Sequence, residues 1–335
     1  MLNKINAYNL LNQATLIYHQ CALSGQHEDF NLFVKNRKIN KEIIDGYRIG
    51  YANNQNLITN WILSIPDAEE QKITMELAVE IGLVKNSRIL GIGDTFKYRV
   101  MFPVINQDGQ VIGFSSRALN FEYRPVFLNS IDSFIFNKSE IFFGMNLADF
   151  GIQLNDAVII VEGVMDQISL HKNGFGNTVA LMGTNLSPKA IECLIGSTKN
   201  IFLAFDSDKA GLAITERVNA QLARAGVIAY YVELSPHKDP DEFLRVHGAN
   251  AFFPVLDNAI PFFDYLLDRI VPEILPEGLD QKLDLLNMAF EIFASLGTNL
   301  EATKRVIIFA RTIGLKSEPE QVLNAYKQYL ESRSE

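Results

Sequence analysis

Along the first 84 residues, apolar positions recur at intervals of three and four. LLNQATLIYHQCAL and ITMELAVEIGLV each gather their leucines, isoleucines and valines on one helical face. This part of the chain is therefore expected to be largely helical. From about residue 99 the period changes. RVMFPVINQDGQVIGFSSRAL reads as two β-rich runs joined around Asp108-Gly109, a pair suited to a turn that needs a positive φ, and predicts a β-hairpin.

Between residues 156 and 247, short apolar runs alternate with amphipathic stretches. AVIIV (157–161), TVALM, IFLAF (201–205) and AYYVEL are continuous enough to be strands buried on both faces. EGVMDQISLHKNG, SPKAIECLI and AGLAITERVNAQLARAG between them read as helices. Ser187 and Pro188 suit the start of the second, and Gly174 and Gly226 close the first and third. DPDEFLRVHG follows the last strand. This alternation predicts right-handed βαβ units around a parallel sheet. Beyond residue 257, FFDYLLDRIVPEIL, QKLDLLNMAFEIFASL, EATKRVIIFARTIGL and PEQVLNAYKQYLES are helical by period.

Composition narrows the function classes. The formal charge of -9 argues against a surface that is basic throughout, yet residues 85–140 carry seven cations, Lys85, Arg88, Lys97, Arg99, Arg117, Arg124 and Lys138, against five acids. Cys21 and Cys193 are too far apart in sequence for a disulfide framework or a zinc ribbon. His19, Cys21 and His27 lack a fourth ligand nearby, so no zinc is expected. No stretch has the continuous apolar character of a signal peptide or a membrane span, which leads to the expectation of a cytoplasmic protein with no membrane partner.

The candidate chemistry lies at the strand ends. In a parallel sheet, ligands bind beyond the carboxyl ends of the strands. Glu162 follows the first strand, Asp206 and Asp208 follow the third, and Asp239 and Asp241 repeat the same spacing after the fourth, with Asp166 one helical turn beyond Glu162. An extended Asp206–Asp208 segment would point both carboxylates the same way. Like charges crowded at a sheet edge raise one another's pKa unless cations neutralise them, so the pattern points to hard divalent metals, Mg²⁺ or Mn²⁺. The plainer alternative for a DxD at a strand end is a helix N-cap with a solvated neighbour.

At these residues the sequence resembles the Toprim domain, whose signature is a Glu at the first strand end and a later DxD, here VEGVMD (161–166) and DSDKAG (206–211). The flanking segments NRKINKEIIDGYRIGYA, RVMFPV, GQVIGFSSRAL, FLNS, FNKSEIFFG, VALMGTNLS and DPDEFLRVHG resemble, in order, the catalytic core of bacterial DnaG-type primases. The resemblance implies an α/β fold, α+β overall. A central Toprim parallel-sheet domain (156–256) would be flanked by an N-terminal mixed α/β subdomain with a basic groove (1–155) and a C-terminal helical subdomain (257–335). It also implies synthesis of short RNA primers on single-stranded DNA from NTPs. Glu162, Asp206 and Asp208 would be the catalytic metal-binding acids, and Asp166, Asp239 and Asp241 the accessory ones. Arg99, Arg117, Lys138, Asn129 and Lys209 would contact nucleotide or template.

Two departures stand out. A family lysine is replaced by Val126 in PVFLNS, with Arg124 as a nearby substitute. Neither the zinc-ribbon module nor the helicase-binding domain is recognisable. The expectation is a stand-alone core of the kind a phage or mobile element encodes, with a replicative helicase or a separate zinc-bearing protein as candidate partner. The competing readings are a Toprim nuclease or topoisomerase, disfavoured by the absence of a GxxxxGK[ST] loop, and a non-catalytic single-stranded-DNA-binding accessory.

Overall fold

The computed structural model describes residues 2–87, 91–120, 122–296 and 299–333; Arg88 of the basic stretch lies outside them. The chain divides into two compact units, one of residues 1–155 and 161–184, the other of 156–160 and 185–335.

In the first unit, α1 (Leu2–Leu23) buries Ala7, Leu10, Leu11, Ala14 and Tyr18, the three-and-four spacing of a helix lying on a core. α2 (Glu28–Asn36) and α3 (Lys41–Gly46) follow; Asn40 caps the latter by accepting the Ile43 N–H at 3.0 Å. β1 (Gly50–Ala52) interrupts the helices expected before residue 84. Its Gly50 is required because a Cβ there would stand 2.5 Å from Tyr18 Cβ.

α4 (Leu57–Leu63) has no local cap, since Asn56 is left-handed. The buried Asp94 caps it instead, accepting the Ile58 and Thr59 N–H groups at 2.9 and 2.8 Å. Asp94 closes a small antiparallel ribbon of β2 (Val84–Ser87) and β3 (Gly91–Asp94), which follows α5 (Ala68–Glu80).

The predicted hairpin is β4 (Arg99–Ile105) and β5 (Val111–Ala118), turning through Gly109 at φ +78°. With β6 (Phe127–Asn129) it forms an antiparallel sheet in the order β1-β4-β5-β6. Met101, Val111 and Phe114 of this sheet share one core with Leu11, Tyr18, Ile58 and Leu77. Next come β7 (Phe142–Phe143), α6 (Met145–Asn155) and β8 (Val158–Val161), whose first three residues belong to the second unit. α7 (Val164–Lys172), buried throughout Val164–Leu170, and β9 (Thr178–Leu181) complete the first unit, with β9 antiparallel to β7.

In the second unit, Ser187 caps α8 (Pro188–Ser197) as expected, its hydroxyl accepting the Ala190 N–H. β10 (Ile201–Leu203) runs parallel to β8, with Leu203 opposite Ile160. α9 (Lys209–Arg224) then leads to β11 (Tyr230–Tyr231), parallel to β10. The strands are shorter than their apolar runs, but Ala204 N–H still reaches Ile160 O at 2.9 Å, so the chain remains extended toward Asp206.

α10 (Pro240–His247) and α11 (Phe252–Asp257) precede β12 (Ile260–Pro261), which closes the sheet edge antiparallel to β11. α12 (Phe262–Ile270), α13 (Leu279–Phe293), α14 (Leu300–Thr312) and α15 (Pro319–Ser332) end the chain. Their core of Phe263, Phe290, Phe293, Val306, Phe309 and Tyr326 also takes in Ala223 of α9. Among the described residues no helix is long and apolar enough to cross a membrane.

Candidate metal centre and nucleic-acid interface

In the second unit the acids sit on two loops. Asp206 lies between β10 and α9 with its side chain 18% exposed, and Lys238 Nζ stands 3.3 Å from its Oδ2. Burial pushes the Asp206 carboxyl above its ordinary range and Lys238 pulls it down, while Asp239 and Asp208 push it up again. Burial and like charge outweigh the ammonium. Lys238 is itself raised, chiefly by Asp206. The ion pair therefore favours both charged forms, yet the acid remains electrostatically unfavourable.

Asp208 caps α9, with Oδ1 accepting the Ala210 and Gly211 N–H groups at 2.9 and 3.0 Å. Asp239 caps α10 in the same way through the Glu242 N–H at 2.7 Å. The plainer reading of these acids thus holds, and it leaves their remaining lone pairs available. Gly211 packs on the Asp206 backbone so tightly that a Cβ would stand 2.0 Å from Asp206 O. Ser207 N–H donates to Lys238 O at 2.7 Å, which ties the two acidic loops together. Asp241 is buried, with Arg245 Nε 3.3 Å from its Oδ2, and Lys209 is exposed at the first position of α9.

In the first unit, Glu162 follows β8 and is half-buried. Asp166 is buried in the first turn of α7, where an acid suits the helix dipole; a Cβ on Gly163 would stand 2.8 Å from its Oδ2.

The candidate nucleotide- or template-contacting residues of this unit differ in placement. Arg99 is buried, donating to Val126 O at 3.2 Å and Pro125 O at 2.6 Å, and burial lowers its pKa. Arg117 lies over the Phe127 ring, 5.1 Å from its centroid. Asn129 Nδ2 donates to Met182 O at 3.0 Å. Lys138 is half-buried, its Nζ 4.0 Å from Asp132. Of the sulfur–histidine group, Cys21 Sγ meets His27 Nε2 at 3.1 Å, whereas His19 Nδ1 faces Ile49 O. Among the described residues no three His, Cys, Asp or Glu side chains stand together as a ready metal cage.

Residues 17–149 match the family described as DNA primase catalytic core, N-terminal domain, and residues 159–244 match the Toprim-like family. A DNA primase from Clostridium acetobutylicum is 35% identical over 235 residues, covering 70% of this chain and 38% of that protein. The chain spans less than half the length of the curated relatives it matches. A DNA primase domain from Pseudomonas aeruginosa superposes with a TM-score of 0.81 at 25% identity, covering 96% of this chain and 99% of the other. A structure described as the DnaG primase catalytic domain bound to ssDNA shares the fold, with a TM-score of 0.76 at 23% identity, covering 94% and 99%.

Fold and sequence together define a Toprim-bearing α/β core. More particularly, the chain carries the N-terminal domain of a DnaG-type primase catalytic core followed by its Toprim domain.

Gly211, Gly163 and Lys238 are the residues of the acidic loops that the strand-end pattern did not single out. For Lys238 the only signal was its position immediately before Asp239-Pro240-Asp241.

Proposed function

We propose that the chain is a metal-dependent primase core that joins NTPs into short RNA primers on single-stranded DNA. The observation that carries this reading is the ordered pair of domains, a primase-core N-terminal domain and then a Toprim-like domain, with Glu162, Asp206 and Asp208 at the Toprim signature positions. The single-stranded DNA in the related catalytic-domain structure supports the template class.

The donor set fits a hard divalent cation. All three side chains offer carboxylate oxygens, and a positive side chain already stands 3.3 Å from Asp206 where a cation would relieve the crowding. Such an ion, when bound, supplies charge neutralisation for an in-line displacement at the α-phosphate of the incoming nucleotide.

In this reading Asp206 and Asp208 of the second unit hold the ion, and Glu162 is the remaining acid of the Toprim signature. Gly211 fixes the Asp206 backbone, and the Asp208 cap anchors the loop to α9. Asp239 and Asp241 shape the second loop, one as the cap of α10 and the other paired with Arg245; Asp166 packs beneath Gly163. Lys138, Arg117 and Lys209 present positive charge to phosphates. Arg99 and Asn129 act by holding the 123–129 segment and its attachment at Met182.

The test is incubation with single-stranded DNA, labelled NTPs and Mg²⁺ or Mn²⁺, comparing wild type with Asp208→Asn. Asparagine is an equally good N-cap, so this substitution removes charge without removing the cap. Short RNA from wild type alone is the expected result. DNA cleavage would favour the nuclease reading, and binding with neither product would favour a non-catalytic accessory.

A further inference from the structure

We infer that Lys238 is the resident counter-cation of the acidic loops, a positioning residue that holds the Asp206 carboxylate in the metal-free protein and yields it when a divalent cation enters. This rests on the metal-site reading above and adds a residue outside the Toprim acid pattern.

The geometry suits a displaceable partner. Lys238 is anchored by its backbone, its N–H donating to Glu242 Oε2 at 2.6 Å and its carbonyl accepting from Ser207 at 2.7 Å. Its position beside the Asp206 loop therefore does not depend on the side-chain ion pair. The side chains are unequal: that of Lys238 is 61% exposed and that of Asp206 only 18%. The ammonium reaches down from solvent on a flexible stem, so it can swing back into water while the carboxylate stays where Gly211 and the α9 cap hold it.

The electrostatics explain why a cation is needed there at all. Burial is the chief cost to the charged Asp206 carboxylate, and Asp239 and Asp208 add to it. One ammonium offsets part of that cost. A divalent ion offers twice the charge to the same oxygens and repels the ammonium, so the two cannot share Asp206 Oδ2 on equal terms. A lysine suits this role better than an arginine, whose planar fork would bind the carboxylate with two donors and be harder to displace.

The test is Mn²⁺ binding to the full chain with no nucleotide or DNA present, followed by electron paramagnetic resonance of the free ion, for wild type, Asp206→Asn, Lys238→Met and Lys238→Arg. Asp206→Asn is expected to weaken binding about tenfold or more. Lys238→Met, which keeps the stem and removes the charge, is expected to tighten it by about three- to tenfold, the size of one partly screened charge pair. Lys238→Arg should bind like wild type or more weakly. Without metal, Lys238→Met should melt below wild type and gain more from added Mn²⁺.

Unchanged or weaker Mn²⁺ binding by Lys238→Met, or equal tightening by Lys238→Arg, would overturn the inference and leave the metal site standing. Unchanged binding by Asp206→Asn would overturn the metal-site reading itself, and the inference with it.

Discussion

Most of the candidate nucleotide- or template-contacting residues of the first unit and the candidate acids of the second are placed by opposite rules. Arg99 is buried and satisfied by the carbonyls of residues 125 and 126, Asn129 by Met182 O, and Arg117 is stacked on Phe127. The polar groups of Arg99 and Asn129 serve the scaffold. Asp206, by contrast, is raised in pKa by burial, with Asp239 and Asp208 adding to it, despite the ammonium beside it. Arg99 has its charge settled internally, whereas Asp206 retains an electrostatic imbalance that a bound cation would relieve. Imbalance of this kind is more characteristic of a chemical site than charge alone.

Substitutions in the two regions should therefore fail differently. The largest effect is expected at the acids: Asp206→Asn or Asp208→Asn should lower the proposed primer synthesis by about 10²-fold or more with the fold intact, checked by product gels alongside circular dichroism. Gly211→Ala should come next. Its methyl group would have to displace the Asp206 backbone, and since a misplacement of about 1 Å at a reacting centre can remove about 10²-fold, we expect activity to fall by about 10- to 100-fold.

Arg99→Met should act on stability first. It removes the hydrogen bonds of a buried guanidinium to the Pro125 and Val126 carbonyls, which costs about 1.5–3 kcal/mol and is read as a lowered melting temperature. Lys138→Met is the converse: with its side chain 44% exposed and its Nζ 4.0 Å from Asp132, its loss should leave the melting temperature unchanged. It should weaken single-stranded DNA binding a few-fold and make the salt dependence shallower by about one counterion. If Arg99→Met and Lys138→Met behaved alike, the contrast between settled and available cations would be lost.

The smallest effect concerns pH. A carboxyl whose folded pKa lies above its ordinary value of 3.8 makes its most favourable contribution below that value, and stability is lost as pH rises through the folded pKa. Metal-free Asp206→Asn should therefore melt slightly above wild type at pH 7, by about 1–2 °C, and this advantage should vanish as the pH approaches 4.

Much of this architecture was legible in the chain. The hairpin was written in alternation around Asp108-Gly109, and Gly109 does take the positive φ the turn needs. The parallel register of β8, β10 and β11 followed from continuous apolar runs separated by amphipathic helices. At Asp208 the capping and metal readings looked like alternatives, but a cap uses one oxygen of a carboxylate that has two.

What the sequence did not show depends on distance or on brevity. Asp94 caps a helix more than 30 residues before it, a pairing that no local spacing encodes. β1 and β12 are three and two residues long, too short to display a period. The burial of Arg99 runs against the usual exposure of arginine, and only the path of residues 123–126 explains it. Lys238 reads in sequence as one more solvated lysine until the sheet brings its loop beside Asp206.

The central proposal, that Asp206 and Asp208 hold a divalent ion, is tested most directly by anomalous diffraction from crystals soaked in Mn²⁺. The account predicts an anomalous peak bonded to oxygens of those two side chains, with the Lys238 ammonium withdrawn from Asp206. A well-ordered site with Asp206 still paired to Lys238 and manganese absent or bound elsewhere would contradict it.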